Sequence, residues 1–118
     1  MAINLVIAIV RESQIKTVVS KLYEKNIPGV TITTARGYGE HVNVYSQDIT
    51  GDNVKVEVFV AEHATRLVVD IIMDAAQTGM EGDGILAVLP VNTMYQVKDK
   101  SELGDHQLMP GSNNKNGK

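Results

Sequence analysis

The sequence predicts an α+β domain of β-α-β-β-α-β order, the split βαβ or ferredoxin-like arrangement, with two helices on one face of a four-stranded antiparallel sheet. Three observations carry that expectation. Apolar residues recur with helical period around residues 15–22 and 64–75, and four segments rich in β-branched residues are interleaved with them. The spacing gives the order strand, helix, strand, strand, helix, strand. At 118 residues the chain is one domain, long enough to bury a core of its own.

Residues 3–10 are apolar at nearly every position and run into Arg11 and Glu12, the pattern of a strand covered on both faces. Ile15, Val18, Val19 and Leu22 then repeat at i, i+3, i+4 and i+7, with Ser13 placed to cap the helix and Lys16, Lys21, Glu24 and Lys25 on its polar side. Pro28 and Gly29 close the connection. Residues 30–35 alternate as a second strand leading to Gly37-Tyr38-Gly39. Residues 40–53 have little hydrophobic period and read as a mobile surface loop. Val54, Val56, Val58 and Val60 mark one face of a third strand, with Lys55, Glu57 and Phe59 on the other. Ala64, Leu67, Val68, Ile71, Ile72 and Ala75 form the stripe of the second helix, and residues 85–91 make the fourth strand. Met94, Tyr95 and Val97, followed by residues 98–100, read as a short strand or an arm reaching a neighbouring subunit. The domain is placed at residues 1–100, including a loop at 37–53. Residues 101–118 are an extension, expected to be disordered from about 110, where apolar residues stop.

Two helices cover one face of such a sheet and leave the other bare. Yet the first strand is apolar on both sides, with Val6, Ala8 and Val10 against Ile3, Leu5, Ile7 and Ile9. A single copy would expose a patch larger than monomers usually carry, so self-association is the simplest cover.

Composition narrows the function. The net charge is -3 and the 11 basic residues form no cluster, so a nucleic-acid footprint is missing. Without cysteine there is no disulfide, thiolate chemistry or Cys-ligated zinc. The opening residues lack a positive n-region, and their apolar run is broken at Arg11 and Glu12; a cytoplasmic protein is expected. His41, His63 and His106 sit in no ligand spacing, and Asp70 and Asp74 read as a solvated helix face, so neither a metal site nor an enzyme is expected.

The stretch Ala76-Gln77-Thr78-Gly79-Met80-Glu81-Gly82-Asp83-Gly84-Ile85 stands apart. Glycines here can take φ > 0 and turn successive N–H groups into one concavity suited to a phosphate. Equally, Gly79 can cap the second helix while Gly82-Asp83-Gly84 simply turns the chain.

Residues Thr78 through Gly84 fit the pattern Thr-Gly-x-x-Gly-Asp-Gly, and Gly29-Val30-Thr31-Ile32-Thr33 is followed by Gly37-Tyr38-Gly39. Together these resemble two motifs of the PII family of trimeric signalling proteins, in the right order, over roughly residues 3–98. The resemblance implies a homotrimer that binds an adenine nucleotide, with or without Mg²⁺, in clefts between subunits. By position, Thr31, Gly37, Gly39 and Phe59 would lie on the base and ribose side. Gly82, Asp83, Gly84 and the N–H of Ile85 would lie on the phosphate side. The loop, with His41, Tyr45, Asp48 and Asp52, would meet a protein partner, and family precedent points to a membrane transporter.

Departures from the pattern concern charge. The lysine expected after Gly-Asp-Gly is Ile85, the basic positions of the last strand are Gln96 and Lys98, and the arginine after Gly-aromatic-Gly is Glu40. Charge-assisted phosphate contacts contribute roughly 1.5–3 kcal/mol each, so their loss should tilt preference from ATP toward ADP or AMP, unless Mg²⁺ or the neighbouring subunit supplies charge; ADP or ATP is the expected ligand, with AMP as the alternative. Asn53 replaces a lysine that would help hold 2-oxoglutarate, and the loop is short and acidic. Both features suggest a divergent member acting outside nitrogen assimilation. A trimeric small-molecule or metal-ion module similar to CutA proteins is the alternative.

Overall fold

The computed structural model describes residues 2–39 and 50–112. Strands β1 (Ile3–Arg11), β2 (Thr31–Gly37), β3 (Gly51–Ala61) and β4 (Gly84–Val91) form one antiparallel sheet in the order β2-β3-β1-β4. Helices α1 (Ile15–Glu24) and α2 (Thr65–Ala76) complete the expected β-α-β-β-α-β order.

Side-chain alternation decides which face each residue joins. Val6, Ala8 and Val10 of β1 lie opposite Val58, Val56 and Val54 of β3, and all six are buried with Val18, Leu22, Val68 and Ile72 from the helices. Burying each valine, leucine or isoleucine of this set contributes about 1.5–3 kcal/mol, so this layer dominates the stability of the chain. The alternate residues Leu5, Ile7 and Ile9 line the opposite face with Phe59 of β3 and with Ile85, Ala87 and Leu89 of β4. No described element covers them. Lys55 and Glu57, 3.9 Å apart, border the patch on the β3 side.

Both helices begin with a 3₁₀ turn, Glu12–Gln14 and Glu62–Ala64, and no side chain caps either α-helix. Ser13 is therefore not the cap that its position suggests; it sits inside the turn. Its neighbour Gln14 instead donates from Nε2 to the carbonyl of Ala75 at 3.1 Å, joining the start of α1 to the end of α2. Helix α1 ends before Pro28. Asn26 takes φ 60, Asn26 N–H donates to Tyr23, and Ile27 N–H donates to Leu22, a Schellman closure with Ile27 folded onto the core. In α2 the apolar stripe is narrower than its sequence suggests: Val68, Ile72 and Ala75 are buried, while Leu67 is exposed. Thr65 at its start is buried and satisfied, accepting from Asn4 Nδ2 at 3.0 Å and donating to Ala61 O at 3.2 Å.

The β2–β3 ladder extends to Gly37 opposite Gly51, so the connecting loop is shorter than the segment 40–53 read from the sequence. Asp52 is a strand residue, facing Arg36 in the ladder with Nε to Oδ1 3.6 Å, and Arg36 also donates to Thr50 Oγ1. That pairing, not loop character, sets its place. Glu40, His41, Tyr45 and Asp48 lie outside the described residues.

Beyond β4 the chain makes a small hairpin, β5 (Tyr95–Gln96) with β6 (Ser101–Glu102). Asp99 holds its turn by accepting from the hydroxyl and N–H of Ser101, which keep its carboxyl below the usual range. Val97 beside it is 90 % exposed. The extension then returns to the body. Met109 packs on the core and Gly111 N–H donates to Asn26 O at 2.6 Å, so the chain stays docked through the start of the segment expected to be disordered from 110.

Candidate functional site

Helix α2 stops at Ala76 because Gln77 turns extended, with φ -70 and ψ 126. Gly79 is thus two residues past the cap and belongs to the loop that follows. Within that loop Gly79, Gly82 and Gly84 all have positive φ (84, 93 and 119). The chain coils around one carboxylate. Asp83 Oδ2 accepts from the N–H of Thr78 at 2.7 Å and of Gly79 at 2.8 Å, and Oδ1 accepts from the Thr78 hydroxyl and from Arg11 Nε at 3.1 Å. Thr78 Oγ1 in turn accepts from Met80 N–H, and Arg11 Nη2 donates to the carbonyl of Glu81.

Asp83 is therefore the frame of the loop, with both oxygens engaged by the protein. This differs from a group left open to a ligand. The Thr78 hydroxyl and N–H, then Arg11 and the Gly79 N–H, hold its carboxyl well below the usual carboxylate range. A depressed folded-state pKa stabilises the fold in full above the unfolded value near 3.9, and that contribution is lost as pH falls from there toward the folded value. Wild type should accordingly lose melting temperature progressively as pH falls from about 4.5 toward about 2. Asp83→Asn should start lower and fall less over the same range in parallel thermal melts; identical slopes would refute this role.

Gly84 has a separate constraint. A Cβ there would sit 1.9 Å from the carbonyl oxygen of Ile9, so only glycine lets β4 enter the sheet beside β1. Gly37 and Gly39 behave differently: neither has positive φ, and a Cβ at either meets nothing within 4 Å. Among the described residues of one copy nothing requires glycine at those two positions.

The sequence-derived site residues fall into groups that one chain keeps apart. Thr31 and Gly37 lie on β2 at one sheet edge and Gly84 and Ile85 on β4 at the other, separated by three strand spacings, about 14 Å. Phe59 is on the uncovered face of β3. Gln96 and Lys98 belong to the hairpin beyond the far end of β4, a strand of about 25 Å from the glycine loop. Ile85, where the lysine was expected, is 72 % exposed. Behind the loop, between α2 and β4, lies a cleft of about 400 Å³ floored by Val10 and Ile72 with Gln77 and Asp83 at its rim. Arg11 was not anticipated as a site residue, because it reads as the charged end of a strand. Among the described residues no group of histidine and carboxylate side chains is placed to hold a metal ion, and no helix is long and apolar enough to cross a membrane.

The fold and this loop define a class: a small ferredoxin-like α+β domain whose edge strand is entered through a carboxylate-framed glycine loop. Residues 3–101 match the family described as Nitrogen regulatory protein P-II, and the chain belongs to that family of regulatory signalling proteins. It is 39% identical over 103 residues to Nitrogen regulatory protein GlnK2 of Haloferax mediterranei, covering 81% of this chain and 84% of that one. It is 30% identical over 105 residues to Nitrogen regulatory protein P-II of Azospirillum brasilense, covering 83% and 94%. The crystal structure of Arabidopsis thaliana PII bound to citrate superposes with a TM-score of 0.75 at 35% identity, covering 86% of this chain and 88% of that one. The chain spans about half the length of the P-II homologues of Oryza sativa and Arabidopsis thaliana. These relatives carry the nitrogen-regulatory name, which lends no support to a role outside nitrogen assimilation.

Proposed function

We propose that the protein is a cytoplasmic, non-enzymatic P-II signalling protein. Three copies assemble through their uncovered sheet faces, bind an adenine nucleotide in the clefts between copies, and control a protein partner through the loop after β2. A membrane transporter is the partner class that fits the resemblance. The observation that carries the reading is the separation of the half-sites. The glycine loop and the Gln96–Lys98 arm occupy opposite ends of β4, so a cleft using both must be built from two chains. The apolar patch of Leu5, Ile7, Ile9 and Leu89 supplies the surface for that assembly.

The ligand is a nucleotide with few phosphates. With Asp83 turned inward and Ile85 at the lysine position, the loop offers backbone and little charge, which favours ADP or AMP over ATP unless Mg²⁺ contributes. The test is thermal unfolding with ATP, ADP, AMP and cyclic AMP in parallel, with and without Mg²⁺. A ligand at a hundred times its Kd stabilises the folded state by about 2.7 kcal/mol, an upward shift of several degrees. We expect the largest shift with ADP or AMP. No shift with any nucleotide, in a protein that sediments as a folded trimer, would refute the reading.

A further inference from the structure

The β1–β4 ladder ends at Val10 opposite Gly84, leaving the glycine loop beyond the last backbone pair. Where the ladder stops, the side chain of the next residue takes over. Arg11 reaches across to Asp83 and to the Glu81 carbonyl, while its own backbone stays registered against Asn53 of β3. Three residues on, at the end of the 3₁₀ turn, Gln14 holds the Ala75 carbonyl in the last turn of the helix that leads into the same loop. One corner of the chain therefore holds both the downstream end of the loop and the helix end that feeds it. We propose that residues 11–14 form a bracket that shapes the 78–84 loop before any ligand arrives, with Arg11 as its positioning residue.

Several observations separate this from an incidental surface contact. The Arg11 and Asp83 side chains are 29 % and 23 % exposed, so the pair is largely shielded. Arg11 uses two different nitrogens on two different groups, a forked arrangement that a lysine cannot reproduce. The Thr78, Gly79 and Asp83 bonds close the loop on itself but do not join it to the sheet; Arg11 does. A loop held in its bound shape avoids an ordering cost on binding, and so raises affinity without Arg11 touching the ligand.

As a step in ligand binding, this rests on the nucleotide reading above. The experiment therefore has a readout that does not. Arg11→Gln and Arg11→Lys are compared with wild type by amide hydrogen exchange of the ligand-free protein and by titration with ADP. Exchange in residues 78–84 should rise about tenfold in both variants while the core strands keep their protection. ADP should bind about tenfold more weakly to both. Adding Asp83→Asn to Arg11→Gln should cost little more than the larger single change, since the two residues act as one unit. If Arg11→Lys binds ADP as wild type does while Arg11→Gln does not, Arg11 acts by charge and the proposal is overturned. Unchanged exchange in 78–84, in variants that fold, overturns it as well. Should wild type bind no ADP, the nucleotide reading fails and the exchange result alone decides whether the bracket exists. Should Arg11→Gln fail to fold, Arg11→Lys supplies both measurements.

Discussion

Gly84→Ala is expected to destabilise the protein by about 4 kcal/mol, the sum of a left-handed φ imposed on an L-residue and an overlap with backbone that cannot yield. The added Cβ would lie 1.9 Å from Ile9 O and 3.2 Å from Val10 Cα, both backbone atoms of the inner strand β1. For a chain of this length the midpoint of thermal unfolding should drop by about 15 °C. Gly79→Ala is the control. Its φ of 84 is also left-handed, but its Cβ meets nothing within 4 Å, so about 1 kcal/mol is the expected cost. Gly37→Ala should stay within about 0.5 kcal/mol of wild type, since both its conformation and its surroundings admit a side chain. Equal losses for Gly84→Ala and Gly79→Ala would show that conformation alone, without the clash, decides the position.

The second large effect concerns assembly. Ile7 is central on the uncovered face, between Leu5 and Ile9 along its strand and between Glu57 and Ala87 across the sheet. Ile7→Lys leaves the buried layer of valines untouched and places the new ammonium beside Glu57, so a single copy should still fold. In an assembly that buries this face the charge loses water, at a cost of about 3 kcal/mol or more per interface. Dissociation should then occur at concentrations at least about a hundredfold higher than for wild type. Sedimentation across a dilution series reads this directly. A variant that stays assembled to the same dilution as wild type would show that copies associate through some other surface.

Those two substitutions also mark what the sequence made visible. The element order, the split of β3 into buried valines and outward Lys55, Glu57 and Phe59, and the bare apolar face all follow from side-chain period, a local property. What escaped was decided by contacts between distant segments. Ser13 had the residue type of a cap, but the chain entered α1 through a 3₁₀ turn and Gln14 made the useful bond, 61 residues away. Asp52 had the look of a loop residue until Arg36 paired with it across the ladder. At the site, the glycine pattern and the importance of Asp83 were legible, but its direction was not: a carboxylate can face a ligand or its own loop, and the bonds from Thr78 and Gly79, with Arg11 from 72 residues earlier, settle which. The start of the extension follows the same rule, since its polar composition gives no sign that Gly111 bonds to Asn26; residues 113–118 lie outside the described residues.

The distance along β4 between the glycine loop and the Gln96–Lys98 arm has a genetic consequence. If each binding cleft takes its loop from one copy and its arm from the next, no single chain owns a complete site. A copy with a ruined loop and a copy with a ruined arm are then both inactive alone, yet in a mixed ring the intact loop of one meets the intact arm of the other. Two defective alleles expressed together would restore part of the binding that neither retains. By the same logic one allele defective in the loop would dilute, without abolishing, the sites of a normal partner, so dosage rather than presence would set the strength of the signal.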